Sequence, residues 1–97
     1  MIGTIVTFQY DDSFDPELIQ KIAREASPQF EGLPGLRSKA FAIDAANRRA
    51  VNFYVWSSEE GAKLFFNEQL RKRVVELYGV EPTIDPVEIV SLVDNGA

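Results

Sequence analysis

The stretch Ala50-Val51-Asn52-Phe53-Tyr54-Val55-Trp56 alternates as a β-strand does, yet both of its faces are largely apolar. Successive side chains of a strand point to opposite sides of the sheet. Val51, Phe53 and Val55 therefore share one face, and Asn52, Tyr54 and Trp56 the other. A strand in a half-solvated sheet shows a polar face to water. This one needs cover on both sides, and the rest of the chain has to account for it.

Toward the N-terminus, Ile2 to Tyr10 is rich in Ile, Val, Thr and aromatic residues and reads as a first strand, ended by Asp11-Asp12-Ser13. Asp15 followed by Pro16 and Glu17 marks a helix start, with Asp15 as cap and Pro16 at the first helical position. Leu18, Ile19, Ile22, Ala23 and Ala26 recur on one face at helical spacing. Pro28 disfavours helix at the residue before it, so this helix ends near Ser27-Pro28 or one turn later at Phe30. Leu33-Pro34-Gly35 turns into a second strand, Leu36 to Asp44. Ala45-Ala46-Asn47-Arg48 then reads as the hairpin connection to the third strand, Arg49 to Trp56.

Beyond it, Ser57 or Ser58 caps a second helix whose apolar positions are Ala62, Phe65, Phe66, Leu70 and Val74. This helix is expected to run to Tyr78, where Gly79 stops it. Pro82 to Val93 is a fourth strand, and Pro86 within it suits an edge position or a bulge. The order β-α-β-β-α-β predicts an α+β, ferredoxin-like fold, with two helices on one face of a four-stranded antiparallel sheet. The other face is then bare.

The outer strands repeat the two-faced pattern. Ile2, Val6 and Phe8 oppose Ile5 and Thr7, and Val87, Ile89 and Val93 oppose Ile84, Val90 and Leu92. An open apolar sheet of this size is an aggregation liability. The simplest cover is a second copy, so the expected assembly is a two-fold homodimer packed sheet to sheet, with the last strand extending the partner's sheet.

Composition narrows the chemistry. The 97 residues suit one domain, residues 1–97, and 45% hydrophobic with 26% charged is ordinary for a soluble protein. No cysteine means no thiolate catalysis or iron–sulfur ligation, and no histidine removes the usual haem ligand and the commonest general base. The expectation is no cofactor and no transition metal. A net charge of −5 argues against nucleic acid or an anionic membrane as partner. The N-terminus lacks a basic signal-peptide head and no apolar run is long enough to span a bilayer, so the expected location is the cytoplasm. Asp11, Asp12 and Asp15 lack calcium-loop spacing and read as a turn and a helix cap.

PGLRSKAFAID (Pro34 to Asp44), AVNFYVWSSEEGAKLFF (Ala50 to Phe66) and GVE (Gly79 to Glu81) resemble the YdhR-like monooxygenases of the dimeric α/β-barrel superfamily. Lys39 and Tyr54 stand where the family's motif residues fall. The chain departs from the family at Val51-Asn52, where its members tend to carry glycine. The resemblance implies a pocket between sheet and helices, a dimer through the opposite sheet face, and cofactor-independent oxygenation of a small phenol- or quinol-like aromatic metabolite. In such chemistry the deprotonated substrate itself reduces oxygen.

A pocket of that kind needs aromatic walls and a few polar groups that favour the substrate anion. Lys39 and Tyr54 are the candidate catalytic residues. Arg37, Asn52, Trp56 and Phe65 are the candidate substrate-binding residues. Trp56 is equally a core filler with its indole N–H bonded to backbone, and Lys39 equally a solvated edge residue. Competing readings are a non-catalytic dimer that binds a small ligand and a stress-associated dimer with no site. A pocket of roughly 300 Å³ or more lined by Tyr54 and Trp56 favours the oxygenase or the ligand binder over the last.

Overall fold

The computed structural model describes residues 1–96. Its elements are β1 (Ile2–Gln9), α1 (Pro16–Phe30), β2 (Leu36–Asp44), β3 (Arg49–Trp56), α2 (Glu59–Phe65), α3 (Glu68–Tyr78) and β4 (Pro82–Glu88). The strands form one antiparallel sheet in the order β2-β3-β1-β4, the ferredoxin-like α+β arrangement. β1 and β2 run parallel with β3 between them, and β3 and β4 run parallel with β1 between them. Both helical segments are therefore crossover connections.

Residues paired across antiparallel strands share a face. Tyr54 pairs with Thr4, Asn52 with Val6 and Ala50 with Phe8. All six are buried, in a core completed by Ile19 and Ile22 of α1, Ala62 of α2 and Tyr78 of α3. The helices thus cover the Asn52–Tyr54–Trp56 face of β3. Val51 and Phe53, on the other face, stay half-buried. There Phe53 and Val87 converge over Gly3, where a Cβ would stand only 3.0 Å from Val87 Cγ2 and 3.1 Å from Phe53 Cζ.

Helix α1 starts as expected, with the Asp15 carboxylate accepting from the amides of Glu17 and Leu18. It carries Pro28 in its last turn and ends at Phe30, whose ring is held by Phe41, Tyr54 and Phe65. That packing offsets the backbone hydrogen bond that Pro28 cannot make. The acidic cluster is accounted for locally: Asp11 accepts from the Ser13 amide, Asp12 pairs with Arg48, and Asp15 caps α1. Among the described residues, no helix is long and apolar enough to cross a membrane.

Two expectations need correction. The second helix is two helices, because Asn67 interrupts it: its side chain accepts from the Leu70 amide at 2.9 Å and starts α3 afresh. The fourth strand stops at Glu88, not Val93. Glu88 pairs with Ile2 and the Ile89 amide reaches the Met1 carbonyl, so β1 has no residue left to pair with. Pro86 takes the edge position, one of the two expected for it, within a continuous register, and the sheet's bulge lies in β2, between Leu36 and Ser38.

Candidate active site

The register of β2 against β3 sets Lys39 opposite Tyr54, both on the helix-covered face. Lys39 Nζ donates to the Tyr54 hydroxyl at 2.8 Å. The same Nζ lies 3.5 Å from the centroid of the Phe30 ring, 4.1 Å from that of Phe41 and 4.3 Å from that of Tyr54. Burial disfavours the ammonium and brings the Lys39 pKa down from 10.5 to about 7. The surrounding aromatic faces act in the opposite sense, since each attracts a cation. Lys39 is thereby able to exchange a proton near neutrality.

Tyr54 behaves differently. Burial first, and the nearby Tyr78 second, push its hydroxyl above the usual tyrosine range, so it stays protonated. It accepts from Lys39 and keeps its own hydrogen to donate. Phe66 meets its ring edge to face at 5.0 Å and Phe65 lies tilted at 5.7 Å, both from the break between α2 and α3.

Deeper in, Asn52 Nδ2 donates to the Tyr78 hydroxyl at 3.2 Å. Tyr78 stacks on Phe8 with centroids 3.8 Å apart, and its carbonyl accepts from the Tyr10 hydroxyl at 2.7 Å. Burial raises both phenols, Tyr10 to about 12. Tyr78 was not among the sequence candidates. A signal was present, because Phe66, Leu70, Val74 and Tyr78 recur every fourth residue and belong to one stripe.

Between these groups lies a cavity of about 130 Å³. Lys39, Asn52, Tyr54, Phe65 and Tyr78 all line it, with Phe30 and Phe41 beside the lysine. It is smaller than the roughly 300 Å³ typical of ligand pockets. An apolar cavity of about 150 Å³ nevertheless holds a benzene ring, so this one is the size of a single ring.

Two candidates lie elsewhere. Trp56 is 1% exposed and stacked on Tyr54 at 5.8 Å, one layer behind the cavity wall. Its indole N–H has no hydrogen-bond partner, where a bond to backbone was expected. Arg37 falls at the β2 bulge, outside the regular pairing that sets Lys39 opposite Tyr54. It is exposed and lines an open groove, which shares Phe30, Lys39 and Phe41 with the cavity. Lys39 therefore stands between the cavity and that groove. Among the described residues no cluster of carboxylates is placed to hold a metal ion.

No protein-family profile matches the chain, and no curated protein matches its sequence. Solved structures do match its fold. A monooxygenase of Streptomyces coelicolor, crystallised with nanaomycin D, superposes with a TM-score of 0.69 at 18% identity, over 98% of this chain and 92% of its own. SnoaB, a cofactor-independent oxygenase of Streptomyces nogalater, gives 0.70 at 9% identity over 95% of each chain. A dimeric ferredoxin-like protein of unknown function from Thermobifida fusca gives 0.68 at 16% identity, over 91% of this chain and 90% of its own. At these identities the likeness establishes the fold.

Proposed function

We propose that the protein is a cofactor-independent monooxygenase of a small phenol- or quinol-like metabolite, bound in the cavity between sheet and helices. The observation that carries this reading is the desolvated Lys39 amine, caged by Phe30, Phe41 and Tyr54 and bonded to the Tyr54 hydroxyl. In its neutral form Lys39 takes the substrate's phenolic proton, and the resulting ammonium stabilises the phenolate left behind. Tyr54 donates its hydroxyl hydrogen to a substrate oxygen, and Phe65 and Asn52 form the apolar and polar walls around the ring. Trp56 acts from behind, by fixing the plane of Tyr54.

The electron-rich phenolate supplies the electrons that reduce dioxygen. One oxygen atom enters the ring in place of hydrogen and the other leaves as water, so that a phenol and O₂ give a quinone and H₂O. Lys39 returns its proton through the open groove on its far side. The activities of SnoaB and of the S. coelicolor monooxygenase favour this chemistry over other uses of the fold. The finer assignment, to a YdhR-like branch, rests on the Lys39 and Tyr54 motifs.

The same reading includes a two-fold homodimer through the face bearing Val51, Phe53 and Val87, as the dimeric T. fusca neighbour suggests. Arg37, exposed at the β2 bulge, then stands outside the cavity as a contact for the incoming substrate. The test is oxygen uptake by the full chain with single-ring phenols and hydroquinones, against the Lys39→Met variant. Uptake that depends on Lys39 supports the proposal. Saturable ligand binding without uptake by the native chain identifies a binding protein instead.

A further inference from the structure

We infer that the cavity's substrate carries a carboxylate, its ring lying against Lys39 and Tyr54 and its carboxylate at the mouth on Arg73 and Arg71. The inference rests on the cavity being the substrate site, and it adds the substrate's charge. Its basis is an asymmetry. The chain has 15 acidic and 10 basic residues, yet the charged side chains that line the cavity are Lys39, Arg71 and Arg73, with no carboxylate among them.

The arginines are placed by helical geometry. Leu70, Val74 and Leu77 form the stripe by which α3 lines the cavity. Each residue turns about 100° on the helix axis, so Arg71 and Arg73 flank that stripe on opposite sides. Both are exposed, which places them at the rim. Arg71 is paired with Glu81 at 3.1 Å, an exposed contact of the weak kind. Among the described residues Arg73 pairs with no carboxylate.

A cavity of about 130 Å³ takes one ring and little more, so a substituent on that ring has to reach the rim. The groups it meets there are guanidinium forks, whose paired N–H donors match the two oxygens of a carboxylate. A net charge of −5 repels anions over the surface as a whole, whereas the charged side chains that line the cavity itself are all cationic.

Calorimetric titration of the full chain with 3-(4-hydroxyphenyl)propanoic acid and with its primary amide separates charge from shape. The acid should bind about tenfold tighter, as expected for a charge-assisted contact at a partly exposed site, and added salt should shrink that advantage. Arg73→Gln should bring the acid close to the amide. Glu81→Gln, which frees Arg71, should tighten the acid about two- to threefold, a gain that misfolding cannot produce. Equal affinity for acid and amide overturns the inference and leaves the aromatic site standing, as does an Arg73→Gln variant that keeps the full advantage. Failure of both compounds to bind overturns the site itself.

Discussion

The two faces of the sheet differ in what they bury. The helix-covered face carries polar atoms at its centre: Thr4 and Asn52 are buried there, with Lys39 bonded to Tyr54 and Asn52 to Tyr78. The other face carries Ile5, Val51, Phe53 and Val87 at its centre, with polar Ser38, Thr7, Thr83 and Asp85 on its outer strands and far end. Hydrophobicity alone would have turned Val51, Phe53 and Val55 toward the helices, and the fold does the reverse. Buried polar groups need partners at fixed distances and angles, which one chain's own packing supplies. Aliphatic surface needs only cover, and a second copy can provide it.

The largest effect expected from breaking this division is on Lys39. Lys39→Met keeps the volume and removes the amine, so oxygen uptake should fall by about 10²–10⁴-fold, the usual contribution of a general base. The same variant should melt at a higher temperature, because folding no longer desolvates an ammonium. A variant that loses activity and stability together would mean that Lys39 is structural.

The matching change on the open face is Phe53→Asp. A carboxylate at the centre of the proposed dimer interface costs several kcal/mol unless paired. Sedimentation at micromolar concentration should shift from about twice the 10.9 kDa chain mass to a single chain. Native protein sedimenting as a monomer would remove the dimer and leave this apolar face without an explanation.

Tyr78→Phe probes the polar face more gently. It deletes the acceptor of the Asn52 amide and should destabilise the fold by about 1–3 kcal/mol in urea denaturation, through the unpaired donor it leaves. A neutral result would show that water or another group serves Asn52.

The most gradual effect is that of pH. The folded Lys39 pKa of about 7 lies below its ordinary 10.5, so between those values the unfolded chain binds more protons than the folded one. The free energy of unfolding should therefore rise with pH across that window, by at most about 1.4 kcal/mol per pH unit. Lys39→Met should flatten the rise. Turnover should increase as pH passes upward through about 7 and then level off, because the neutral amine is the active form.

Much of this was readable along the chain. Asp15-Pro16 and Gly79 are local signals, and α1 starts and α3 ends where they stand. The alternation of the four strands and the helical spacing between them were enough for the ferredoxin-like order, and the family resemblance singled out Lys39 and Tyr54 before their contact was known. Three things were not readable. The Asn67 break is a competition between a side-chain cap and one more helical turn, and local spacing does not say which wins. The bulge that carries Arg37 out of register appears only when β2 is laid against β3. Trp56 was placed on the correct face, but depth along that face depends on which helix lies above it.

The face itself was the question raised by AVNFYVW. A two-residue period divides a strand's side chains into two sets and carries no information on which set lies under the helices. That choice belongs to the crossovers from β1 to β2 and from β3 to β4. Given the strand order, their shared right-handedness puts both helical segments on one side of the sheet. Sequence determined the strands, the caps and the two-sided apolar pattern, because these depend on neighbours a few residues apart. Tertiary structure alone decided that Asn52 and Tyr54 face a cavity while Val51 and Phe53 face outward, because handedness and register are properties of strands already assembled.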